Sequence, residues 1–327
     1  MIDDPLLDRA RRLWTGLAGA PVAFKDAAID VTVSPRSLLC PPGWVGVVGL
    51  GSAAIGTAPD GDTAEIVRGG LSGLPLTAMT DPAVVDGRLP VVEILGPASL
   101  AYCDVAGFRP VGFGLVEMVP AGPAELGVLL ASVPAEDAGE SGLAEVTSPM
   151  FVVRAGSEVI AAAGYRTWPS STAHVSVLTL PTERGRGYAR MVAAAAVSHA
   201  LDGGLLPQWR ARPEASRRVA RALGFRELGS QLSIRLLPAG AGPSGGSTAT
   251  SAPSSSNVSW TAYRPGGSNT LPEPDPTARD NISDQEVRSR GADNRLTEVV
   301  TAGDRARSPN APHVRARIGN GPLPKIR

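Results

Sequence analysis

From His174 to Leu201 the chain spells a strand, a glycine-bearing turn and a helix in direct succession, and this stretch constrains the fold more than any other. His174 to Leu180 reads His-Val-Ser-Val-Leu-Thr-Leu, a strand by its β-branched content. Pro181 ends that ladder because it has no amide hydrogen to donate. Tyr188 to Leu201 is rich in alanine and reads as a helix, stopped by Gly203-Gly204. Between the two lies Arg184-Gly185-Arg186-Gly187. A loop of this kind makes an anion site by simple physics: the amide hydrogens of the first helical turn have no acceptor, and the helix dipole adds partial positive charge. Gly185 and Gly187 remove the β-carbons that would hold a phosphate away from the backbone, and Ala189 keeps the helix start narrow. Arg184, Arg186 and Arg190 add charge around the nest. A merely basic turn on a solvated loop would need neither the paired glycines nor the helix behind them.

The surrounding elements follow from the same signals. Met150 to Arg154 and Val159 to Tyr165 flank Ala155-Gly156-Ser157-Glu158 and read as a hairpin, with Glu158 in its turn. Leu205 to Ala211 is a short strand, and Pro213 opens a helix that runs to Leu223 and is capped by Gly224. Phe225 to Leu228 and Leu232 to Leu236 read as two strands around Gly229-Ser230. Hairpin, strand, helix, strand, helix, hairpin is an α/β or α+β order, and it implies a mixed central sheet flanked by helices.

At Arg184-Gly185-Arg186-Gly187-Tyr188-Ala189, directly after a strand ending in Pro181, the chain resembles the GNAT superfamily of N-acetyltransferases, whose hallmark is Arg/Gln-x-x-Gly-x-Gly/Ala in that position. About forty residues later, Ala222-Leu223-Gly224-Phe225 resembles the family's Leu-Gly-Phe after its second core helix. The resemblance spans about Phe151 to Leu236. It implies acetyl-CoA as acetyl donor, an amine as acceptor, and direct transfer between them without a covalent enzyme intermediate. It further implies that Arg184, Gly185, Arg186, Gly187, Tyr188, Ala189 and Arg190 grip the pyrophosphate, and that Leu178, Thr179 and Leu180 bond the pantetheine arm like an added strand. The cofactor would enter where this strand splays from the one at Leu205 to Ala211.

The family pattern is incomplete. The tyrosine that usually protonates the leaving thiolate, four residues before the Leu-Gly-Phe glycine, is Ala220 here, and the frequent asparagine at the mouth of that helix is replaced by Arg212 and Pro213. Ser216, one turn before Ala220, is a candidate near the thiol, although a serine there is also an ordinary helix-surface residue. His174 is a candidate base because its ordinary pKa, about 6.5, suits proton transfer at neutral pH. Glu145 is a second candidate, and His199, on the face of Val192, Ala195 and Ala196 near a helix end, reads as structural. Arg166, Trp168 and Trp209 are candidates for the acceptor pocket or for packing. A module that binds acyl-CoA without turnover therefore stands beside the enzyme. His174, His199 and His313, with the separated Cys40 and Cys103, make no metal set.

The composition divides the chain into residues 1–140, 141–238 and 239–327. The first stretch opens with an amphipathic helix, since Leu6, Leu7, Ala10, Leu13, Trp14 and Leu17 recur at helical spacing after Asp4-Pro5. Short apolar runs such as Trp44 to Leu50 and Val91 to Leu95 follow, then a helix from about Pro123 to Ala131 and a linker-like Pro134 to Ser141. Gly49-Leu50-Gly51-Ser52-Ala53-Ala54 matches a dinucleotide fingerprint, but Gly56, Pro59 and Gly61 leave no room for the helix such a site requires, so a strand and turn are expected. This half is long enough for a degenerate second copy of the same fold, closed by Gly96 to Arg109 and serving as scaffold and substrate wall. Beyond Ala239 the chain is rich in Gly, Ser, Pro and Asn, with Arg264, Arg279, Arg288, Arg290, Arg305, Arg307, Arg315 and Arg317 among acids, and a disordered tail is expected.

The 31 basic and 31 acidic residues cancel, which removes the electrostatic case for wholesale nucleic-acid or membrane binding. No apolar run reaches the length of a membrane span. The acidic opening Met1 to Pro5 lacks the basic region and apolar core of a secretory signal, and two cysteines read more simply as reduced thiols than as a bridge. Cytoplasmic residence is the expectation, and the oligomeric state is not legible.

Overall fold

In a computed structural model, which describes residues 4–25, 28–112 and 114–237, the first structural decision is made by α1, Pro5–Ala18. Asp4 caps it by accepting from the Leu7 amide at 3.3 Å, Pro5 fits the first turn, and Gly19 ends it at φ 66°. Its apolar stripe, Leu6, Leu13, Trp14 and Leu17, packs on Leu50, Ile55, Leu100 and Tyr102 of the sheet. The tail expected beyond Ala239, with its arginines and His313, lies outside the described residues.

The strands of the first half are β1 (Ile29–Val33), β2 (Val45–Leu50), β3 (Ala53–Ala58) and β4 (Val91–Tyr102), with α2 (Gly61–Leu71), α3 (Leu76–Met79) and α4 (Pro82–Asp86) between β3 and β4. Here the dinucleotide-like glycines Gly49 and Gly51 lie at the end of β2 and in the turn to β3, an antiparallel hairpin, as the early Pro59 led one to expect. Next along the chain come β5 (Glu117–Val119), α5 (Pro123–Ala131) and α6 (Ala135–Ser141), and the second part supplies β6 (Met150–Ala155), β7 (Glu158–Trp168), β8 (Thr172–Thr179), α7 (Tyr188–Asp202), β9 (Leu206–Ala211), α8 (Glu214–Ala222) and β10 (Arg226–Leu236).

All of these strands join one mixed sheet in the order β1-β3-β2-β10-β4-β9-β8-β7-β6-β5. The β1–β3 and β8–β9 pairs are parallel and the others antiparallel. The expected α/β architecture with a mixed central sheet is therefore present. Its strand order crosses the halves: β4, from the first half, lies between β9 and β10, and β10 lies between β4 and β2. The hydrogen-bonded sheet thus runs across the boundary near residue 140.

Two local expectations are corrected. Gly229-Ser230 is not a turn, because Arg226–Leu236 is one continuous strand paired on both sides. Its glycine serves close approach instead: a β-carbon on Gly229 would lie 1.8 Å from the Gly49 carbonyl oxygen. The linker-like stretch after Pro134 is the helix α6. No side chain of α6 is buried, so apolar patterning gave no sign of it, and the ion pairs that hold it come from distant parts of the chain. A smaller revision concerns Glu158, which is the exposed first residue of β7 rather than part of the turn.

Candidate functional site

The parallel pair β8 and β9 is joined only at Thr172–Leu206, Ala173–Pro207 and His174–Gln208. Beyond that point the two strands part, and the edge of β8 from Val175 to Thr179 faces no strand on that side. The gap is a cavity of about 600 Å³, in the range of small-molecule sites. Val175, Val177, Leu178 and Thr179 form one wall, and Trp209, Arg210 and Ala211 the other. Trp209 is fixed in place by an edge-on contact with Phe225, 5.5 Å between ring centroids, and by donating from Nε1 to Ser216 Oγ at 3.0 Å. Ser216 and Ala215 close the cavity from α8.

At its far end stands the glycine loop. Pro181–Glu183 forms a single 3₁₀ turn, then Gly185 (φ 83°) and Gly187 (φ 88°) take the left-handed conformation that lets α7 begin. A β-carbon on either glycine would meet nothing within 4 Å, so protein packing does not exclude a side chain there. Among the described residues the amides of Gly185, Arg186 and Gly187 meet no acceptor, and Tyr188 and Ala189 lie in the first turn of α7, where amides have no intrahelical partner. Thr179, at the cavity wall, keeps its buried Oγ1 without a partner. Amide donors of this kind at the start of a helix suit an anionic group such as a phosphate.

The arginines divide into two kinds. Arg184 donates from Nη2 to Asp137 of α6 at 2.6 Å and from Nε to the Thr179 carbonyl at 3.4 Å. Arg186 pairs with Glu183 at 3.0 Å. Arg190 and Arg218 line the cavity and form no ion pair among the described residues. The loop is therefore cationic, but part of that charge is already engaged.

A second, smaller chamber of about 30 Å³ adjoins the cavity and shares Glu140, Ser141, Val175, Arg210 and Ala211 with it. Its remaining wall includes His174, Arg212 and Gln231, with Leu95, Gly96 and Ala98 from β4. Here the β4–β10 ladder is interrupted, the register shifting between Gln231 and Ser233. His174 stacks on Trp168, 4.2 Å between centroids, and its Nδ1–H donates to Gln208 Oε1. Burial, with Arg210 and Arg166 nearby, pushes its pKa down to about 3, so the imidazole is neutral. Burial likewise lowers Arg210 to about 10, with Glu140 and Glu145 opposing that shift. Glu145 accepts from Arg166 Nη1 at 2.7 Å, and Glu140 is paired with Arg212.

Residues 150–230, which hold this strand, loop and helix, match the family model described as GNAT acetyltransferase. The segment is a GNAT acetyltransferase domain. Among solved structures the chain is similar to a GNAT-family protein from Novosphingobium aromaticivorans, with 20% identity over 44% of this chain and 65% of that one and a TM-score of 0.37. A GCN5-related N-acetyltransferase from Kribbella flavida is 15% identical over 46% of this chain and 62% of its own, with a TM-score of 0.35. A GCN5-related N-acetyltransferase-like protein from Streptococcus suis is 18% identical over 70% of this chain and 98% of its own, with a TM-score of 0.38. The chain thus spans a little under two thirds of the length of the first two. Comparison with curated proteins returns no match.

Within the GNAT domain, the residues expected to hold the cofactor lie unevenly around the cavity. Leu178, Thr179, Arg184, Gly185, Gly187, Tyr188, Ala189 and Arg190 line it, as does Ser216. Leu180 is buried in the core and gives its amide to the Ile160 carbonyl, while Arg186 turns toward Glu183. His174 lines the small chamber and not the larger cavity. Ala220, where the resemblance leads one to look for a tyrosine, is 2% exposed and packs in the core with Trp209 and Phe225. Sequence reasoning missed Arg218, which lines the cavity from the helix face of Ala215, Val219 and Ala222, and also Asp137 and Glu140, three residues apart in a stretch read as linker. Tyr165 Oη lies 2.8 Å from His199 Nδ1, and Cys40 and Cys103 are buried free thiols. Among the described residues there is no metal-ligand cluster, and no helix is long and apolar enough to cross a membrane.

Proposed function

We propose that the protein is an N-acetyltransferase that moves an acetyl group from acetyl-CoA directly to the amine of a small molecule, peptide or protein. The observation that carries this reading is the cavity between β8 and β9, which ends at the amides of Gly185 to Gly187 and the cations Arg190 and Arg218, none of which meets a partner among the described residues. The pyrophosphate would rest on those amides, and the pantetheine along Leu178 and Thr179, where Thr179 Oγ1 awaits a partner. Acetyl-CoA supplies a thioester carbonyl: the acceptor's neutral nitrogen forms the new C–N bond as the C–S bond breaks, and one proton passes to sulfur.

Ser216 is assigned the proton for the leaving thiolate. Its oxygen already accepts from Trp209, which leaves its hydroxyl hydrogen free to point into the cavity. His174 is assigned to the acceptor. With a conjugate acid near 3 it is a weak base, so it acts as a neutral hydrogen-bonding group that orients the amine, and the ammonium proton leaves to water. The first half of the chain serves as scaffold and substrate wall in this reading, supported by the three β4 residues in the chamber. Cytoplasmic residence belongs to the same reading, and the two reduced thiols support it.

A module that binds acyl-CoA without turnover is the second reading, motivated by the buried Ala220 in the tyrosine's place. Titration calorimetry with acetyl-CoA, followed by measurement of amine-dependent CoA release, separates the two. Binding with release supports the enzyme. Binding without release against a broad amine panel favours the module, and no binding defeats both.

A further inference from the structure

Two chains of contacts start at Trp14 in α1, and both end on His174. The polar one runs across the sheet. Register pairs Tyr102 of β4 with Gln208 of β9, and Gln208 with His174 of β8, so the three side chains stand side by side on one face. Trp14 donates from Nε1 to the Tyr102 hydroxyl at 2.6 Å, and His174 Nδ1–H donates to Gln208 Oε1. Tyr102 and Gln208, which link these two bonds, are both 0% exposed. Gln208 Nε2 reaches no acceptor at full hydrogen-bond geometry; burial pushes the Tyr102 pKa up, and the nearby Trp14 and Gln208 donors oppose that rise. The second chain is aromatic: Trp14 meets Trp168 edge-on, 6.4 Å between centroids, and Trp168 stacks on the His174 ring.

A histidine clamped in this way has a defined tautomer. A carbonyl oxygen can only accept, so Nδ1 carries the proton and Nε2 keeps its lone pair. Nε2 has no partner among the described residues, and His174 lines the small chamber. At about 30 Å³ the chamber has room for one or two non-hydrogen atoms. It also lies beside the fork, because His174–Gln208 is the last rung before β8 and β9 part to form the larger cavity. The tautomer decides what an amine can do there. A neutral amine has one lone pair, and that pair must be free to attack. A ring nitrogen that accepts holds the amine by an N–H bond and leaves its lone pair available, whereas a ring N–H would occupy the lone pair and block the reaction.

Resting on the acetyltransferase reading above, we propose that Tyr102 and Gln208 are positioning residues: they hold His174 with its proton on Nδ1, so that Nε2 accepts an N–H of the acceptor's neutral amine in the chamber. The first half of the chain then takes part in the transfer through Tyr102 and Trp14, besides supporting the sheet. His174 exchanges no proton. The ammonium gives one proton to solvent on becoming the neutral amine. Its nitrogen then bonds to the acetyl carbonyl carbon as the C–S bond breaks; the nitrogen loses a second proton while the sulfur gains one, giving an N-acetyl amine and free CoA.

The first measurement is nitrogen-15 NMR of the full native chain labelled at histidine, with His174→Asn identifying which of the 3 histidines is His174. The proton is expected on Nδ1 and not on Nε2, without change between about pH 5 and pH 8. A proton on Nε2, or exchange between tautomers, would overturn the proposal. The second measurement is kinetic and uses the primary amine that releases CoA fastest from acetyl-CoA. Tyr102→Phe should lower kcat about tenfold, with less than about twofold change in KM for acetyl-CoA. Gln208→Glu keeps an acceptor on Nδ1, but its carboxylate raises the His174 pKa against burial and against Arg210 and Arg166, the latter paired with Glu145. Once the ring is a cation, Nε2 no longer accepts. The activity of this variant relative to the native chain should therefore fall as pH drops through neutrality and recover above it. A ratio constant with pH, or an unchanged kcat in Tyr102→Phe, would overturn the proposal. Should these variants not fold, the tautomer on the native chain decides alone. Absence of acetyl-CoA binding, or binding without release to any amine, would instead overturn the acetyltransferase reading itself, whatever the tautomer.

Discussion

Replacing Gly187 by alanine separates a glycine needed by the fold from one needed by a ligand. Gly187 sits at φ 88° at the start of α7, and a β-carbon there would meet nothing within 4 Å. The cost to the fold is therefore conformational alone, about 1–2 kcal/mol for an L-residue held in the left-handed region. In a domain of this size that corresponds to a fall in Tm of roughly 2–8 °C. The cost to binding is different in kind, because Gly187 lines the cavity and the added methyl takes up open space beside the amides that would meet phosphate oxygens. Acetyl-CoA affinity should fall at least about tenfold, a loss of ~1.4 kcal/mol. Gly204→Ala is the matched control: Gly204 has φ 71°, equally open surroundings, and lies at the other end of α7, away from the cavity. Calorimetric titration and thermal melts on both variants should give similar losses of Tm but a loss of affinity only for Gly187→Ala. Equal affinity in the two variants would refute the phosphate-loop assignment.

Three further outcomes follow from the same geometry. Asp137→Asn frees Arg184 from a half-exposed ion pair worth about 0.2–1 kcal/mol, so acetyl-CoA should bind roughly 1.4- to 5-fold more tightly at low salt, with the gain shrinking as salt rises; weaker binding would mean that Asp137 chiefly holds the loop in shape. Ser216→Ala should lower kcat about 10²-fold with little change in acetyl-CoA affinity, and an unchanged kcat would remove the serine from the chemistry. His174 has a folded pKa of about 3 against an ordinary 6.5, so between those values the unfolded chain takes up a proton that the folded one refuses. Stability attributable to His174 is thus fully present above pH 6.5 and is lost as pH falls toward 3, and urea midpoints measured across that window should drop less steeply in His174→Asn; equal slopes would contradict the buried, neutral histidine.

Gly229 illustrates the limit of reading elements one at a time. As a local signal, Gly-Ser between two apolar runs is a turn, and the expectation of a hairpin followed properly from it. The chain runs straight through, paired on both sides, and residue 229 is glycine because a β-carbon there would strike the Gly49 carbonyl, far away in sequence. In the same way α6 has no apolar stripe to announce it, and it is tied down by Arg184 and Arg212, which come 47 and 72 residues after their partners. Cofactor residues were more legible than catalytic ones for a related reason. A phosphate loop is built from consecutive backbone groups, so its requirements are written in consecutive letters. A proton donor or an acceptor pocket is assembled from side chains on separate strands.

By itself, then, the sequence determined the strand, turn and helix around Arg184 to Arg190, the opening helix with its cap, and the small hairpin at Gly51, because glycine, proline and apolar spacing act over a few residues. Tertiary structure alone decided that β4 would stand between β9 and β10, that β8 and β9 would part after His174 and Gln208, and that Glu140, Arg210 and Arg212 would line one small chamber. Those outcomes depend on which distant edges pair and which charges become neighbours once they do. Burial and electrostatics settle such matters over the whole sheet, and no window of adjacent residues contains them.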